Sequence, residues 1–341
     1  MTNLKAAHDE LFRRTPDECF TTLADLKQHC RTQKDASQDR WHLPQTIVPT
    51  AGDGPLTVQV GNDGAFLLND WSFSQFCGLA GVSKETVNRL SPATATSVFR
   101  ETLPTGKKPL QLLTTDNVVR SIHGASYTRL WNVHLLNTVQ EFATDFQPPQ
   151  RAATGGTGLY AGEQDMFCFM VDPTGWVEIG GEAFAPGFFV WNSEVGKRSI
   201  GISTFWWQAV CANHIVWDAI DVTEVSRKHT ANVHDALTQI QQTLTNLVQL
   251  RDQRRDGFFR VMQKALETTL GSNAEDAMKE LTKSGIKASL AKEALKIAEQ
   301  KGRFTIFSLV DALTRLTGQL LYAGDRIEAD RQASSLLALA S

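Results

Sequence analysis

The stretch PGFFVWNSEVGKRSIGISTFWWQAVCANHIVWD, Pro186 to Asp218, decides the fold. Phe188 to Trp191 is a run of strand formers that ends in the polar turn Asn192-Ser193-Glu194, followed by Gly196 and the basic pair Lys197-Arg198. A second strand alternates Ile200, Ile202, Thr204 and Trp206, with Trp207 beside them. A third segment carries Val210, Cys211, Ile215, Val216 and Trp217. Aromatic and β-branched runs bounded by Gly, Asn and Ser predict a β-meander. The polar residues gather at its turns, where binding groups concentrate.

Upstream of the meander the pattern is mixed. Residues 1–40 are polar and helix-prone, with Leu23 and Leu26 on one face and Asp17 as a candidate cap. From Trp41 to Asp70 short strands follow (TIVPT, LTVQV, AFLLND), and Asn62-Asp63-Gly64 marks a hairpin. Helices are expected over Ser72–Ala80, after Ser83 and over Pro92–Leu103. Two strands, LQLLTT and NVVRSI, come next. His123 to Ser126 reads as a loop, and Tyr127 to Leu136 as the start of another helix.

Downstream, Val233, Leu237, Ile240, Leu244 and Leu247 recur at helical spacing. Helices continue over Glu275–Gln300, with a break near Gly285, and over Phe304–Leu321. The reading is α+β: a mixed, mostly antiparallel β core with inserted helices and a C-terminal helical region. The expected parts are a helical segment over 1–40, an α+β core over 41–225 and a helical region over 226–341.

Composition narrows the function classes. The net charge of −3 excludes global attraction to nucleic acid, so any anion-binding surface must be a local patch. The five cysteines are scattered and form no CxxC pair, which argues against a disulfide scaffold and fits a reducing cytoplasm. No signal peptide is read at the start, and no apolar run approaches the ~18 residues of a membrane span. Gly155-Gly156-Thr157-Gly158 lacks the Lys and the helix of a phosphate loop and is read as a connector.

Several residues can carry chemistry. Arg120, Tyr127 and Arg129 lie close in sequence; they are either a buried Tyr with two solvated arginines or a phosphate contact beside an aromatic platform. Arg251, Arg254, Arg255 and Arg260 surround Phe258 and Phe259 and form the strongest basic cluster. Either they are a solvated helix face or, with Lys197 and Arg198, the place where an acidic polymer binds. Cys211 and His214 are ligand-capable, but no base or further zinc ligands are visible, so a core thiol with hydrogen-bonded Asn213 and His214 is expected. No catalytic set, metal site or cofactor is expected.

The meander turn, the upstream VVRSIHGASYTRLWNVHLL and the later FSLVDALTRLTGQL together resemble the family catalogued as domain of unknown function 932. That family carries an S-N-S-E-x-G turn followed by C-x-N-x-(I/V). Trp191 stands where a small residue is common, and His123-Gly124-Ala125 departs from its Ser-Asp element. The resemblance covers the chain from about Pro109 onward. It implies a phage- or plasmid-type setting in a bacterial cytoplasm and a shared site at Arg120, Tyr127, Asn192, Ser193, Glu194, Gly196, Cys211 and Asn213.

Two functional readings follow. The first is a single-stranded nucleic-acid binding or annealing protein of recombination or replication, working as a homo-oligomer. Arg120, Arg129, Lys197, Arg198, Arg251, Arg254 and Arg255 would track phosphates, and Tyr127, Trp191, Trp206 or Trp207 would stack bases, with Asn192 also in contact. The second is a metal-dependent enzyme acting on nucleic acid or nucleotide, with Glu194 set against Glu163, Asp165 or His214. A structural, partner-binding role is a third.

Overall fold

A computed structural model describes residues 18–51, 55–149, 157–208, 215–216, 224–300, 302, 304–317, 336–337 and 339. Helix α1 (Leu23–Asp35) leads into a first sheet of six strands: β1 (Ser37–His42), β2 (Ile47–Thr50), β3 (Thr57–Val60), β4 (Gly64–Leu68), β5 (Leu110–Thr115) and β6 (Val118–Gly124). Their order is β1-β5-β6-β4-β3-β2, antiparallel except for the β4–β6 pair. The two edges, β1 and β2, are consecutive in the chain and joined only by Leu43–Thr46. Six flat strands would set the edges ~24 Å apart, beyond the ~18 Å that this link can span. The sheet therefore curls, and Asp63 of the β3–β4 turn meets both Arg40 (2.9 Å) and His42 (2.8 Å) of β1. Phe66, Phe76, Phe99, Leu112 and Val119 fill the face shared with α2 (Asp70–Leu79), α3 (Lys84–Val87) and α4 (Pro92–Thr102).

The second sheet is the expected meander, longer than its sequence signal. It comprises β7 (Leu159–Ala161), β8 (Met166–Val171), β9 (Val177–Ile179), β10 (Glu182–Asn192), β11 (Ile200–Gln208), β12 (Ile215–Val216) and β13 (Glu224–Arg227). All its pairings are antiparallel, and β10 and β11 are its centre. Alternation sends Cys168, Met170, Phe188, Val190, Ile200 and Ile202 toward α1, α5 (Asn132–Phe142) and α6 (Asp235–Gln249). Phe167, Phe169, Phe189, Trp191, Phe205 and Trp207 line the opposite face.

The C-terminal helices α7 (Arg251–Glu267), α8 (Ala274–Lys283), α9 (Ala288–Gln300) and α10 (Ile306–Thr317) form one apolar cluster. They meet the meander where Phe258 stacks on Trp206, with centroids 4.0 Å apart and planes at 8°.

Three local expectations are corrected. The segment 37–40, read as helical, is strand, because Gln38 to Trp41 pairs with β5. Tyr127 to Trp131, read as helix, precedes α5, which begins only at Asn132. That extended segment lets Tyr127 and Arg129 reach the β10–β11 turn. The candidate cap of α1 is also replaced: Thr22 accepts the Asp25 N–H, while Asp17 lies outside the described residues.

Replacing the buried Phe258 with Ala is expected to lower stability by about 3–5 kcal/mol. Urea unfolding followed by circular dichroism reads this out, and a loss below about 1 kcal/mol would contradict the packing described.

Candidate functional site

Asn192 to Arg198 closes β10 onto β11, and both sheets converge on it. A β-bulge begins the arrangement. Leu113 pairs with Ser121 but Thr114 pairs with Val119, so Arg120 is the extra residue. Such a bulge re-aims a side chain, and Arg120 leaves its strand for Glu194. Its Nη1 donates to Glu194 Oε2 at 3.2 Å and its Nη2 to Gln33 Oε1 at 3.1 Å. The other Glu194 oxygen accepts the Asn132 backbone N–H at 2.9 Å, in the first turn of α5. The helix N-terminus thereby adds a partial positive charge to the same carboxylate. Both partners of the ion pair are buried, with side chains 8% and 1% exposed.

The carbonyls of the turn are held as tightly as its carboxylate. Tyr127 Oη donates to the oxygens of Ser193 (3.3 Å) and Glu194 (3.0 Å). Arg129 also donates to the Glu194 carbonyl, and its other nitrogens grip Asp39 of β1 at 2.7–3.3 Å. Trp71 Nε1 (2.8 Å) and His123 Nε2 (3.0 Å) meet the Val195 carbonyl. Asn192 Nδ2 donates to the Leu130 carbonyl and to Asn132 Oδ1, both at 2.8 Å. Ser193 Oγ donates to the Gln164 carbonyl and accepts the Lys197 N–H. Gly196 sits at φ +74°, and a Cβ there would come within 2.5 Å of the His123 ring. Both the backbone and the space require glycine.

An aromatic stack lines the turn. His123 lies 3.7 Å from Tyr127 between centroids, at 9°, and Tyr127 lies 5.4 Å from His229. Burial lowers the pKa of His123 to about 4, and the neighbouring Arg129 adds to this. Burial likewise takes His229 to about 4 and pushes the Tyr127 hydroxyl upward. Beside Glu194, burial raises the Cys30 thiol, with the carboxylate adding to the effect.

The expected site residues divide into groups. Arg120, Tyr127, Arg129, Asn192, Ser193, Glu194, Gly196, Lys197 and Arg198 do come together. Arg120, Arg129 and Asn192, however, are buried and committed to protein partners, which corrects their reading as phosphate or base contacts. Trp206 and Trp207 are 3% and 4% exposed and belong to the core, as does Trp191, so none presents a ring to a base. Arg251 pairs with the buried Asp172 and with Asp145, and Arg254 reaches Thr204 Oγ1. Arg255 pairs with Asp252 and Asp256 of its own helix. These three arginines pin α7 or neutralise its own carboxylates. Cys211, Asn213 and His214 lie outside the described residues.

The carboxylates of the enzymatic reading are separately engaged. Glu163 accepts the Trp71 N–H, Asp165 pairs with Arg198 at 2.5 Å, and Glu194 faces inward. Among the described residues, no three His, Cys, Asp or Glu side chains gather at metal-holding distance.

Sequence reasoning missed Gln33, Asp39, Trp71 and His229, which come from distant segments and carry no local signature. It also missed Arg227 and Lys228 as part of this site. Strand β13 pairs Arg227 with Ile200, which brings both cations beside Lys197 and Arg198. Lys197, Arg227 and Lys228 are exposed, and the Lys197 ammonium lies 4.6 Å from the Trp71 ring centroid.

Fold and site define an α+β protein of two sheets clamped at a single inward-facing Asn-Ser-Glu turn. The chain belongs to the family described as Domain of unknown function (DUF932), which matches residues 120–316. No curated protein and no solved structure matches it. Among the described residues no helix is long and apolar enough to cross a membrane.

Replacing Glu194 with Ala leaves Arg120 buried and uncompensated, and is expected to cost about 3–5 kcal/mol. The Arg120→Ala/Glu194→Ala double variant is expected to lose clearly less than the sum of the single losses, measured by urea unfolding; additive losses would contradict the pairing.

The two histidines stacked on Tyr127 set a pH dependence. The unfolded chain takes up these protons near pH 6.5 and the native chain only near pH 4. Stability is therefore full above pH 6.5 and falls as pH drops from 6.5 toward 4. Melting temperatures across that window are expected to decline less steeply in His229→Gln than in the parent.

Proposed function

We propose that the protein binds single-stranded nucleic acid through the outward rim of the β10–β11 turn. The observation that carries this reading is that exposed Lys197, with Arg198, leads into β11 while exposed Arg227 and Lys228 end its partner strand β13, where Arg227 pairs with Ile200. A net-negative chain binds a polyanion only if its positive charge is collected locally, and this rim collects it. Asp165 neutralises Arg198, with which it is paired, so Lys197, Arg227 and Lys228 carry the positive charge of the rim. An aromatic surface stands close by: Trp41, 50% exposed, lies on β1, two strands and ~10 Å from His123. His123 in turn touches the turn at Gly196.

The proposal moves the stacking and phosphate roles away from the buried rings and arginines. It retains the expected class: a binding or annealing protein acting in recombination or replication, of phage or plasmid type, in a bacterial cytoplasm. Assembly into a homo-oligomer would align several such rims along one strand, which suits a site built from a few cations.

Fluorescence anisotropy with a labelled single-stranded oligonucleotide at 50 mM and 200 mM salt tests the proposal. Binding is expected to weaken steeply with salt, and each phosphate contact adds roughly 0.7 to the log–log slope. The Lys197→Ala/Arg227→Ala/Lys228→Ala variant is expected to lose roughly 2 from that slope. An absence of binding at 50 mM salt, or an unchanged slope in the variant, would overturn it.

A further inference from the structure

We propose that the strand held at the rim continues over the groove between α1 and α5, where Lys27, Arg31, Lys34, His134 and His234 meet further phosphates; this rests on the single-strand-binding reading above. Helix α1 supplies the cations. Lys27, Arg31 and Lys34 recur at steps of four and three, which sets them on one face of the helix. That face is turned toward α5: Lys27 Nζ donates to Gln140 Oε1, and Lys34 Nζ lies 3.4 Å from His134 Nε2. The two contacts run the helices antiparallel, side by side. Lys27, Lys34 and His134 are half-buried and Arg31 and His234 exposed, so all five keep surface in solvent.

The charges of this row are unanswered. Elsewhere cations are matched to carboxylates: Lys84 to Asp70, Arg255 to Asp252, Lys279 to Glu275 and Lys296 to Glu293. Among the described residues, Lys27, Arg31 and Lys34 form no ion pair, and the partners of Lys27 and Lys34 are a carboxamide and an imidazole. The carboxylates of α1 stand at its two ends: Asp25 is tied to Thr22 in the first turn, and Asp35 is the last residue. His134 meets further positive charge and no acid. Its pKa is lowered by burial first, then by Lys34 and by His234, the residue before α6. Like charges gathered on one helix face repel one another until an anion comes between them. A single strand suits such a row, because its backbone carries one charge per nucleotide at regular spacing.

The row and the rim meet at the turn. Gln33, next to Lys34, bonds Arg120, which bonds Glu194, three residues before Lys197. On the other side, His229 follows Lys228. Thr128 N–H donates to the His229 carbonyl at 3.1 Å, and His229 Nδ1 donates to the Thr128 carbonyl at 3.3 Å, just ahead of α5. The chain then passes through His234 into α6. The end of α1 and the starts of α5 and α6 therefore border the turn that carries the rim.

Anisotropy with the labelled single-stranded oligonucleotide, on the full chain at 50 mM and 200 mM salt, tests the groove with its own variant. Lys27→Gln/Arg31→Gln/Lys34→Gln keeps helix propensity and removes three charges. It is expected to lose roughly 2 from the log–log slope, about as much as the rim variant. Lys264→Gln/Lys283→Gln/Lys292→Gln removes three exposed cations from the C-terminal helices and is expected to leave the slope unchanged, which separates a local track from a net-charge effect. If the α1 variant keeps the parent slope while the rim variant loses its share, the groove is overturned and the rim reading stands. An equal loss in the C-terminal variant overturns the groove as well. If the α1 variant loses its share and the rim variant does not change, the groove binds the strand and the rim reading falls. No binding by the parent at 50 mM salt removes both.

Discussion

The carboxylate of Glu194 is the group on which the rest of the structure depends. A buried carboxylate is stable only when its charge is answered and its lone pairs are filled. Here the answer comes from two places in the chain, a guanidinium thrown out of β6 by a bulge and the first N–H of α5, while Tyr127 and Arg129 hold the carbonyl of the same residue. Arg129 continues to Asp39 on the edge strand β1, and Trp71 brings the start of α2. One turn thereby ties the first sheet, the second sheet and three helices together. The apolar clusters supply most of the driving force, and this polar clamp fixes how the clusters are placed.

That role shapes what the site can do. Every inward polar atom of the clamp that serves the fold is withdrawn from chemistry on a substrate. What remains for partners is the outward side, where Lys197 leaves the turn and β13 delivers Arg227 and Lys228. The same division accounts for the neutral state of His123 and His229. They are packing partners of Tyr127 in a place where burial, and then the charge of Arg129, disfavours their protonated forms.

Much of the fold was legible in the sequence, for physical reasons. The meander announced itself because β10 and β11 are buried on both faces and so read as continuous strand formers. The helices after Asp235 were legible because one face of each is buried and the apolar spacing shows it. Strand β1 was not, since Ser37–His42 is an edge strand whose polar residues, Asp39 and Arg40, bond to groups far away in the chain. The site was half legible. The turn and its nearest basic residues carried a recognisable pattern, but exposure did not. A run such as Phe205-Trp206-Trp207 reads equally as a platform or a core; Phe258, some fifty residues away, covers Trp206, and the Phe169–Phe189 cluster takes in Phe205 and Trp207.

Native-state hydrogen exchange of the turn amides tests the clamp most directly. If the turn is the joint of both sheets, the Asn132 and Lys197 N–H groups, bonded to Glu194 and to Ser193 Oγ, exchange only through global unfolding. Their opening free energies and denaturant dependence then match those of central β10 amides. Exchange of these two amides through local openings, with little denaturant dependence while β10 stays protected, would show that the sheets hold together without the turn and would contradict the account.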